Sequence, residues 1–358
     1  PKPQNPSKCS VGLFGSLNAF MRANLRTELL LIILKTTKYL LMKSFAMLAF
    51  AGVATASQLS SKFMEYITTH GKSYGTVEEF EFRKALFSIT EDAIQSINGN
   101  ESHTWTAGHN KFSDWSHEEF SKMHGYIPET HVYTEATILP ETNADSVNWV
   151  VAGATTPVKD QGQCGSCWAF SSTGALEGSH FLKSGSMLSF SEQQLVDCVH
   201  TCFGCGGGNQ ALAFRYLKSN NAYLEADYTY HAVNQNCSYS AGAASSVNVT
   251  SFTQVTGSNV AQMKAALALQ PLSVSIEADT AVFQTYTSGI LNSTACGTTL
   301  DHAVLAVGWG SENGQEYWII KNSWSSTWGE NGFIRLAIVD GLGICGVQTS
   351  PLYPTANQ

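Results

Sequence analysis

Cys164 and Cys167 stand three positions apart in "QGQCGSCWAF", residues 161–170. A Cys-x-x-Cys pair has at least three chemical uses: a redox couple, half of a zinc site, or a structural half-cystine beside a reactive thiol. A thiol with an ordinary pKa of about 8.5 is only slightly ionised at neutral pH, so a nucleophilic cysteine needs a cationic neighbour, a helix N-terminus, or both. Cys167 has access to both. A helical run starts at Ser166, whose hydroxyl is the expected cap, and closes near Gly185 after Lys183, so the helix dipole favours an anion at Cys167. His302 is a candidate to take the thiol proton and return it to a leaving amine, with Asn322 orienting the imidazole. An oxyanion formed on acyl transfer needs donors already aimed at it, which the Gln161 side-chain amide and the Cys167 backbone N–H can supply. Taken singly, each residue has a plain structural reading: a buried small hydrophobe, a structural histidine, a turn asparagine. Taken together they form a nucleophile, a base, an orienter and an oxyanion donor.

The sequence also supplies elements to position that set. "HAVLAVGWG" and "EYWIIKN" flank an "ENG" turn and read as a hairpin; with Asn313 and Gly314 at the turn, paired positions sum to about 627, which brings His302 opposite residue 325 and close to Asn322. The region from 142 onward is therefore helical first and β later. Upstream, Phe63, Tyr66 and Ile67, then Phe80, Phe87 and Ile94 at steps of seven, predict two helices between residues 57 and 100. After Gly125 the chain carries Pro128 and Pro140 without helical period, so it reads as extended and marks a boundary.

Composition narrows the class. The chain has 358 residues, enough for two or three units with real cores. It carries 20 basic against 28 acidic residues with no basic cluster, which argues against a nucleic-acid partner. Eight of nine cysteines follow residue 160, which points to disulfides and an oxidising compartment. "MKSFAMLAFAGVATAS", residues 42–57, has the basic start, apolar run and small residues of a secretory signal peptide cleaved before Ser57; Met42 is then the expected biological start, with residues 1–41 outside the functional protein. Lys35, Lys38 and Lys43 interrupt any membrane-spanning reading of residues 29–56.

"QGQCGSCWAFS", "DHAVLAVGWG" and "IIKNSWSSTWGENGFIR" resemble the papain family of cysteine proteases, close to cathepsin L. The resemblance runs from Trp149 to Pro354. It implies an α+β, papain-like two-domain fold, one domain helical and one β-rich, with the active-site cleft between them. It implies Cys167 as nucleophile, His302 as its ion-pair partner, Asn322 as orienter, Gln161 in the oxyanion hole and Trp324 covering the His302–Asn322 bond. It pairs Cys164 with Cys205, Cys198 with Cys237 and Cys296 with Cys345, leaving Cys167 free; Cys202 has no partner in that scheme. It places Gln210, Ser275, Leu300, Ala303 and Ser350 around the substrate residue second before the scissile bond. Gly207 and Gly208 are to pair with substrate backbone, Gly206 standing where Asn is usual, and Asp301 joins the substrate-binding set. The pocket floor is small and neutral, with hydrogen-bonding walls.

The upstream part resembles the inhibitory propeptide of these proteases, through Glu79, Arg83, Phe87, Ile94 and Asn98, with Thr90 where Asn is usual, and through Gly108, Asn110, Phe112 and Asp114 in "GHNKFSD". The expected domains are an upstream segment 1–41, a signal peptide 42–56, a propeptide 57–141 and a peptidase domain 142–358. The expected protein is a secretory-pathway zymogen, lysosomal, vacuolar or extracellular, needing no cofactor and no metal, monomeric, with protein and peptide substrates, its own propeptide as inhibitor and no stable membrane span. Acid release of the propeptide is expected through protonation of Asp114 and Glu79. Sequons stand at Asn100, Asn236, Asn248 and Asn292. The competing readings are a thiol-disulfide oxidoreductase using Cys164 and Cys167, a zinc module from Cys198, Cys202 and Cys205, and a catalytically silent papain-like binding protein.

Overall fold

Thr76 caps the helix that the seven-residue steps predict: its hydroxyl accepts from the Glu79 N–H at 3.1 Å, and Glu78 and Glu79 sit in the positive first turn. The computed structural model describes residues 37–38, 58–129 and 138–357, in two units, Pro1–Thr68 and Thr69–Gln358. In the first unit the described chain is helical from 58, with Phe63 and Tyr66 stacked at 6.1 Å. The expected signal peptide, the segment 130–137 and Cys9 lie outside the described residues.

The second unit opens with α1 (Val77–Asn98), the short strand β1 (Trp105–Ala107) and α2 (His117–Ser121), which starts in a reciprocal capping box between Ser116 and Glu119. Arg83 ties the two helices together through a bidentate ion pair with Glu119, 2.7 Å at the longer contact. The Asp114 carboxylate accepts from Lys72 Nζ at 2.7 Å and from the Tyr74 hydroxyl at 2.9 Å, and Glu79 reaches the Gly75 N–H and faces Arg83. These carboxylates close the leading segment on itself. The expectation that Asp114 and Glu79 hold it to the rest of the protein is therefore corrected. Bonds that do cross include Lys111 to Asp160 at 2.6 Å, Asn110 to the Gln284 carbonyl at 2.7 Å, Glu129 to Arg215, and the β1 ladder described below.

Beyond the boundary come β2 (Val147–Asn148) and then the helices α3 (Cys167–Ser184), α4 (Glu192–Cys198) and α5 (Gln210–Ser219). Strand β3 (Val249–Gln254), α6 (Val260–Leu267), β4 (Leu272–Ile276), α7 (Ala281–Gln284) and β5 (Tyr286–Leu291) follow. The chain closes with β6 (His302–Glu312), β7 (Gln315–Lys321), β8 (Phe333–Ala337) and β9 (Leu352–Ala356). The sheet runs β1-β5-β8-β7-β6-β4-β9-β3, with β2 added on β6, so the leading segment contributes the edge strand β1, paired antiparallel to β5. Asn313 and Gly314, both at positive φ, make the β6–β7 turn. Pairs near it sum to 627, but a bulge at Val307 shifts the register, and the ladder ends at Leu305 opposite Lys321. His302 therefore has no partner on β7; it pairs with Ile276 of β4 instead. That corrects the expected pairing with residue 325.

Two apolar cores result. One gathers α3, α4 and α5, with Trp168, Phe190 and Phe214 buried; the other lies in the sheet, with Trp309, Trp318, Trp324 and Trp328 buried, and takes in Ile94, Trp105, Phe112 and Phe120 of the leading segment. At the seam, Lys159 Nζ donates to Glu177 at 3.1 Å and to Glu192 at 2.6 Å; Thr156 and Thr173 hydroxyls donate to the same carboxylates. Burial pushes Glu192 up to about 7, aided by the like charge of Glu177. Burial opposes charge on Glu177 too, yet Lys159 holds that carboxyl below the usual range.

Lys159→Met should cost about 3–5 kcal/mol, because it leaves two buried carboxylates without their hydrogen-bonded cation and only the field of Lys321 to offset them. Urea unfolding of the full chain measures it, and adding Glu177→Gln and Glu192→Gln should recover much of the loss.

Candidate active site

Cys167 is the first residue of α3, fully buried and free of disulfide, and Gly185 ends that helix in the left-handed region. Ser166 stands at the N-cap, but its hydroxyl makes no cap bond; it lies 2.6 Å from the Tyr230 hydroxyl. The expected Ser166 cap is corrected accordingly: a partner 64 positions away outcompetes the helix's own N–H groups.

Three disulfides close, Cys164–Cys205, Cys198–Cys237 and Cys296–Cys345, and Cys202 is a second free thiol among the described residues. Cys164 is thus oxidised onto Cys205 rather than paired with Cys167, which removes the redox-couple reading. Cys198 and Cys205 are likewise consumed, which removes the zinc reading. The Cys164–Cys205 bridge and the Gly165 N–H to Cys205 carbonyl bond at 3.0 Å fix the loop between Gln161 and Cys167.

His302 begins β6, and Asn322 follows the last residue of β7, so the hairpin brings them together. His302 Nε2 lies 2.8 Å from Asn322 Oδ1; the amide oxygen accepts, so Nε2 carries the proton in this hydrogen-bond network and Nδ1 is left as the basic nitrogen. The same Asn322 oxygen accepts from the Ser323 N–H. The Trp324 ring covers this pair, its centroid 4.7 Å from that of His302, and excludes water from it.

Gln161 is fully buried and every polar group on it is engaged. Its N–H donates to the Ser323 carbonyl at 2.9 Å, its Oε1 accepts from the Ser323 hydroxyl at 2.6 Å, and its Nε2 donates to the Cys164 and Met123 carbonyls, both at 2.8 Å. Met123 belongs to the leading segment. A peptide carbonyl from upstream therefore occupies the donor expected for an oxyanion. Two residues on, the Gly125 N–H is directed at Cys167. Only glycine fits there, since a Cβ on Gly125 would lie 1.8 Å from the Gly165 carbonyl oxygen. The segment then runs parallel to Gly208, which donates to the Gly125 carbonyl at 2.8 Å and accepts from the Ile127 N–H at 2.9 Å, while Tyr126 N–H donates to the Asp301 carbonyl.

Gly208 alone makes the two backbone bonds; the Gly207 N–H and carbonyl are taken by Gly204 and Phe203. In the expected side pocket, Gln210 Nε2 donates to Ser275 Oγ at 3.1 Å, and Ser275 pairs with Ala303 across β4 and β6. Leu300 sits beside Gly346, and Ser350, half-buried, lies just before β9. The Asp301 carboxylate accepts the Ala278 and Asp279 N–H groups; burial pushes it up to about 7.

Burial pushes the Cys167 thiol up to about 12 and lowers His302 to about 4. The residue that sequence reasoning missed is His124, between Met123 and Gly125. Its ring meets that of His302 edge-on at 5.8 Å, with Phe120 at 4.7 Å and Trp324 at 5.8 Å, and both its nitrogens are shut off from solvent. Burial brings it down to about 3, followed by the field of His302 and then His117, with the Ala278 carbonyl offsetting only part. No sequence signal marks it, because its neighbour His302 is 178 positions away.

A two-core fold with a thiol at the head of a buried helix, its cleft filled by the chain's own leading segment, is the architecture of a cysteine peptidase precursor. Residues 143–355 match the group described as papain family cysteine protease, and residues 63–120 match the cathepsin propeptide inhibitor domain. The chain belongs to the papain family. It is 40% identical over 322 residues to digestive cysteine proteinase 2 of Homarus americanus, covering 86% of this chain and 98% of that one. It is 40% identical over 314 residues to procathepsin L of Mus musculus, covering 83% and 92%. Among solved structures it resembles digestive procathepsin L 3 of Tenebrio molitor larval midgut, with a TM-score of 0.74 and 34% identity over 83% of this chain and 98% of that one. A recombinant stem bromelain precursor gives 0.77 at 33% identity, over 84% and 100%.

The buried imidazoles set the direction of the pH response. His124 titrates below its ordinary value of 6.5 while covered, so on this group the covered state binds fewer protons than the open one. His302 adds to the difference only where Cys167 is replaced, since thiol with neutral imidazole and thiolate with imidazolium carry one proton alike. The stability of the covered state is present above about pH 6.5 and falls as pH drops below that, by up to about 1.4 kcal/mol per pH unit for each contributing imidazole. Glu119, held near 2 by Arg83, stays charged through this range. Hydrogen exchange at residues 123–127 of a Cys167→Ser chain, followed from pH 7.5 to 4.5, should show that loss, and His124→Gln should make it shallower by about one proton.

Proposed function

We propose that the chain is the zymogen of a cysteine endopeptidase in which Cys167 attacks the substrate carbonyl and His302 shuttles the proton. The observation that carries this reading is the Met123 carbonyl, which accepts from the Gln161 amide while the Gly125 N–H points at Cys167: a peptide already lies where a substrate would have to lie. Removal of residues 57–141 frees one Gln161 N–H for an oxyanion and leaves the other on the Cys164 carbonyl. It also returns water to the thiol and imidazole, and the burial that disfavours charge on both is lost. The Sγ of Cys167 then forms a thioester with release of the amine, protonated by His302, and water completes hydrolysis with His302 as base. Asn322 holds the imidazole in the tautomer this requires. The relatives named as digestive proteinases support a protein-degrading role in the secretory pathway, in a lysosomal or vacuolar compartment or outside the cell.

The side pocket built from Gln210, Ser275, Leu300, Ala303 and Ser350 receives the substrate residue second before the cut. The Gln210–Ser275 bond gives it a neutral polar wall with no carboxylate to pair with arginine.

Cys167→Ala should retain less than about a hundredth of the activity of the processed enzyme, His302→Ala should be comparably damaged and Asn322→Ala less so, as read from kcat/KM on a peptide amide. Higher residual activity in Cys167→Ala would move the nucleophile elsewhere.

A positional peptide library should show Leu, Val and Phe accepted at the second position, polar residues disfavoured by no more than about 1–3 kcal/mol, and arginine poor. Strong preference for arginine there would contradict the pocket assignment.

A further inference from the structure

We propose that Tyr230 is a positioning residue for the oxyanion hole, locking the Gln161 loop to the head of the Cys167 helix. This rests on the assignment of Gln161 and Cys167 made above. The Tyr230 hydroxyl donates to the Gln161 main-chain carbonyl at 2.8 Å, so its oxygen is left to accept from the Ser166 hydroxyl at 2.6 Å. One side chain thus joins the residue carrying the side-chain donor to the residue immediately before the one carrying the backbone donor. The two donors must converge on a single oxygen, and a hole that loses one donor is typically weakened by about 10²- to 10³-fold in rate.

The Gln161 N–H and side-chain Oε1 are both held by Ser323, which belongs to the end of the β6–β7 hairpin, and the disulfide at Cys164 fixes the loop to Cys205. The Cys164 carbonyl accepts from Gln161 Nε2 at 2.8 Å and lies 3.5 Å from the Ser166 hydroxyl, a long contact beside the 2.6 Å one to Tyr230. Tyr230 is the short bond from the Gln161 backbone to the Ser166 cap. It is itself set in place: its ring meets Phe170 of α3 edge-on at 4.9 Å, its N–H donates to Glu225, and its hydroxyl is held above its ordinary titration range by burial. The link also explains the missing helix cap. A Ser166 hydroxyl free of Tyr230 could turn toward the first N–H groups of α3, competing for the same positive helix end that the oxyanion needs.

The test compares a reaction that needs the hole with one that does not. In full chains activated by removal of the leading segment, Tyr230→Phe should lower kcat on a peptide amide by about tenfold with KM little changed, because only fractional misplacement of a donor is expected. It should weaken a peptide aldehyde, whose tetrahedral adduct places an oxyanion there, by a similar factor. The rate of Cys167 alkylation by iodoacetamide, which forms no oxyanion, should stay within about twofold of the unsubstituted enzyme. Ser166→Ala should share the kcat loss, and the double variant should be no worse than Tyr230→Phe alone, since both break one chain of bonds. Equal losses in alkylation and hydrolysis would assign Tyr230 to general stability and overturn the proposal, as would unchanged kcat and aldehyde affinity. If the unsubstituted activated chain alkylates at Cys167 but hydrolyses no peptide, the protease assignment fails instead.

Discussion

Two elements begin at the same place. Helix α3 starts at Cys167 and strand β6 starts at His302, and the body of the helix packs along the strand, with Gly174 against Leu305 close enough that a Cβ would lie 3.0 Å from the Leu305 side chain. Strand β6 belongs to both cores, with Ala303, Leu305 and Val307 on the helical side and Val304 and Ala306 on the sheet side, so the thiol and the imidazole meet where the two cores share a strand. The Lys159–Glu177–Glu192 cluster belongs to that seam. Its charges are costly to bury and are satisfied only when the helices and the residues ahead of them are in register, so the cluster ties the position of α3 to the loop that carries Gln161. Asn322, Trp324 and Ser323 then arrive from the hairpin as a consequence of its turn.

The leading segment uses this arrangement without altering it. It lends Phe112 and Phe120 to the sheet core, where both rings meet Trp324 at 5.5 and 5.3 Å, and it adds β1 to the sheet edge. From that platform residues 123–127 reach across the cleft by backbone bonds, which depend little on side chain and so suit a segment that must resemble many peptides at once. Blocking the cleft is therefore joined to burial: residues 123–127 lie over Cys167 and His302, and burial disfavours the charged form of both groups.

Much of this was legible locally. The Asn-Gly turn specified the hairpin, helical steps of seven specified α1, and a Cys at the start of a helical run specified where a reactive thiol would sit. What was not legible depended on partners far away in sequence. Ser166 reads as a cap until Tyr230 is folded against it. The hairpin register holds near the turn and slips at Val307, which no residue type announces. Asp114 and Glu79 read as anchors, but the chain offers Lys72, Tyr74 and Arg83 within the same segment, and proximity decides. His124 is one histidine among ten, and only the threading of 123–127 through the cleft brings it to His302.

Cys167 stands three residues from one half of a disulfide, in a protein that must form three of them correctly. Disulfides are exchanged by thiolate, not thiol. Burial pushes the Cys167 thiol up and so disfavours its thiolate, which makes the thiol nearest in sequence to Cys164–Cys205 a poor partner for exchange in the folded precursor. The burial that withholds the thiol from other chains also withholds it from the bridges of its own.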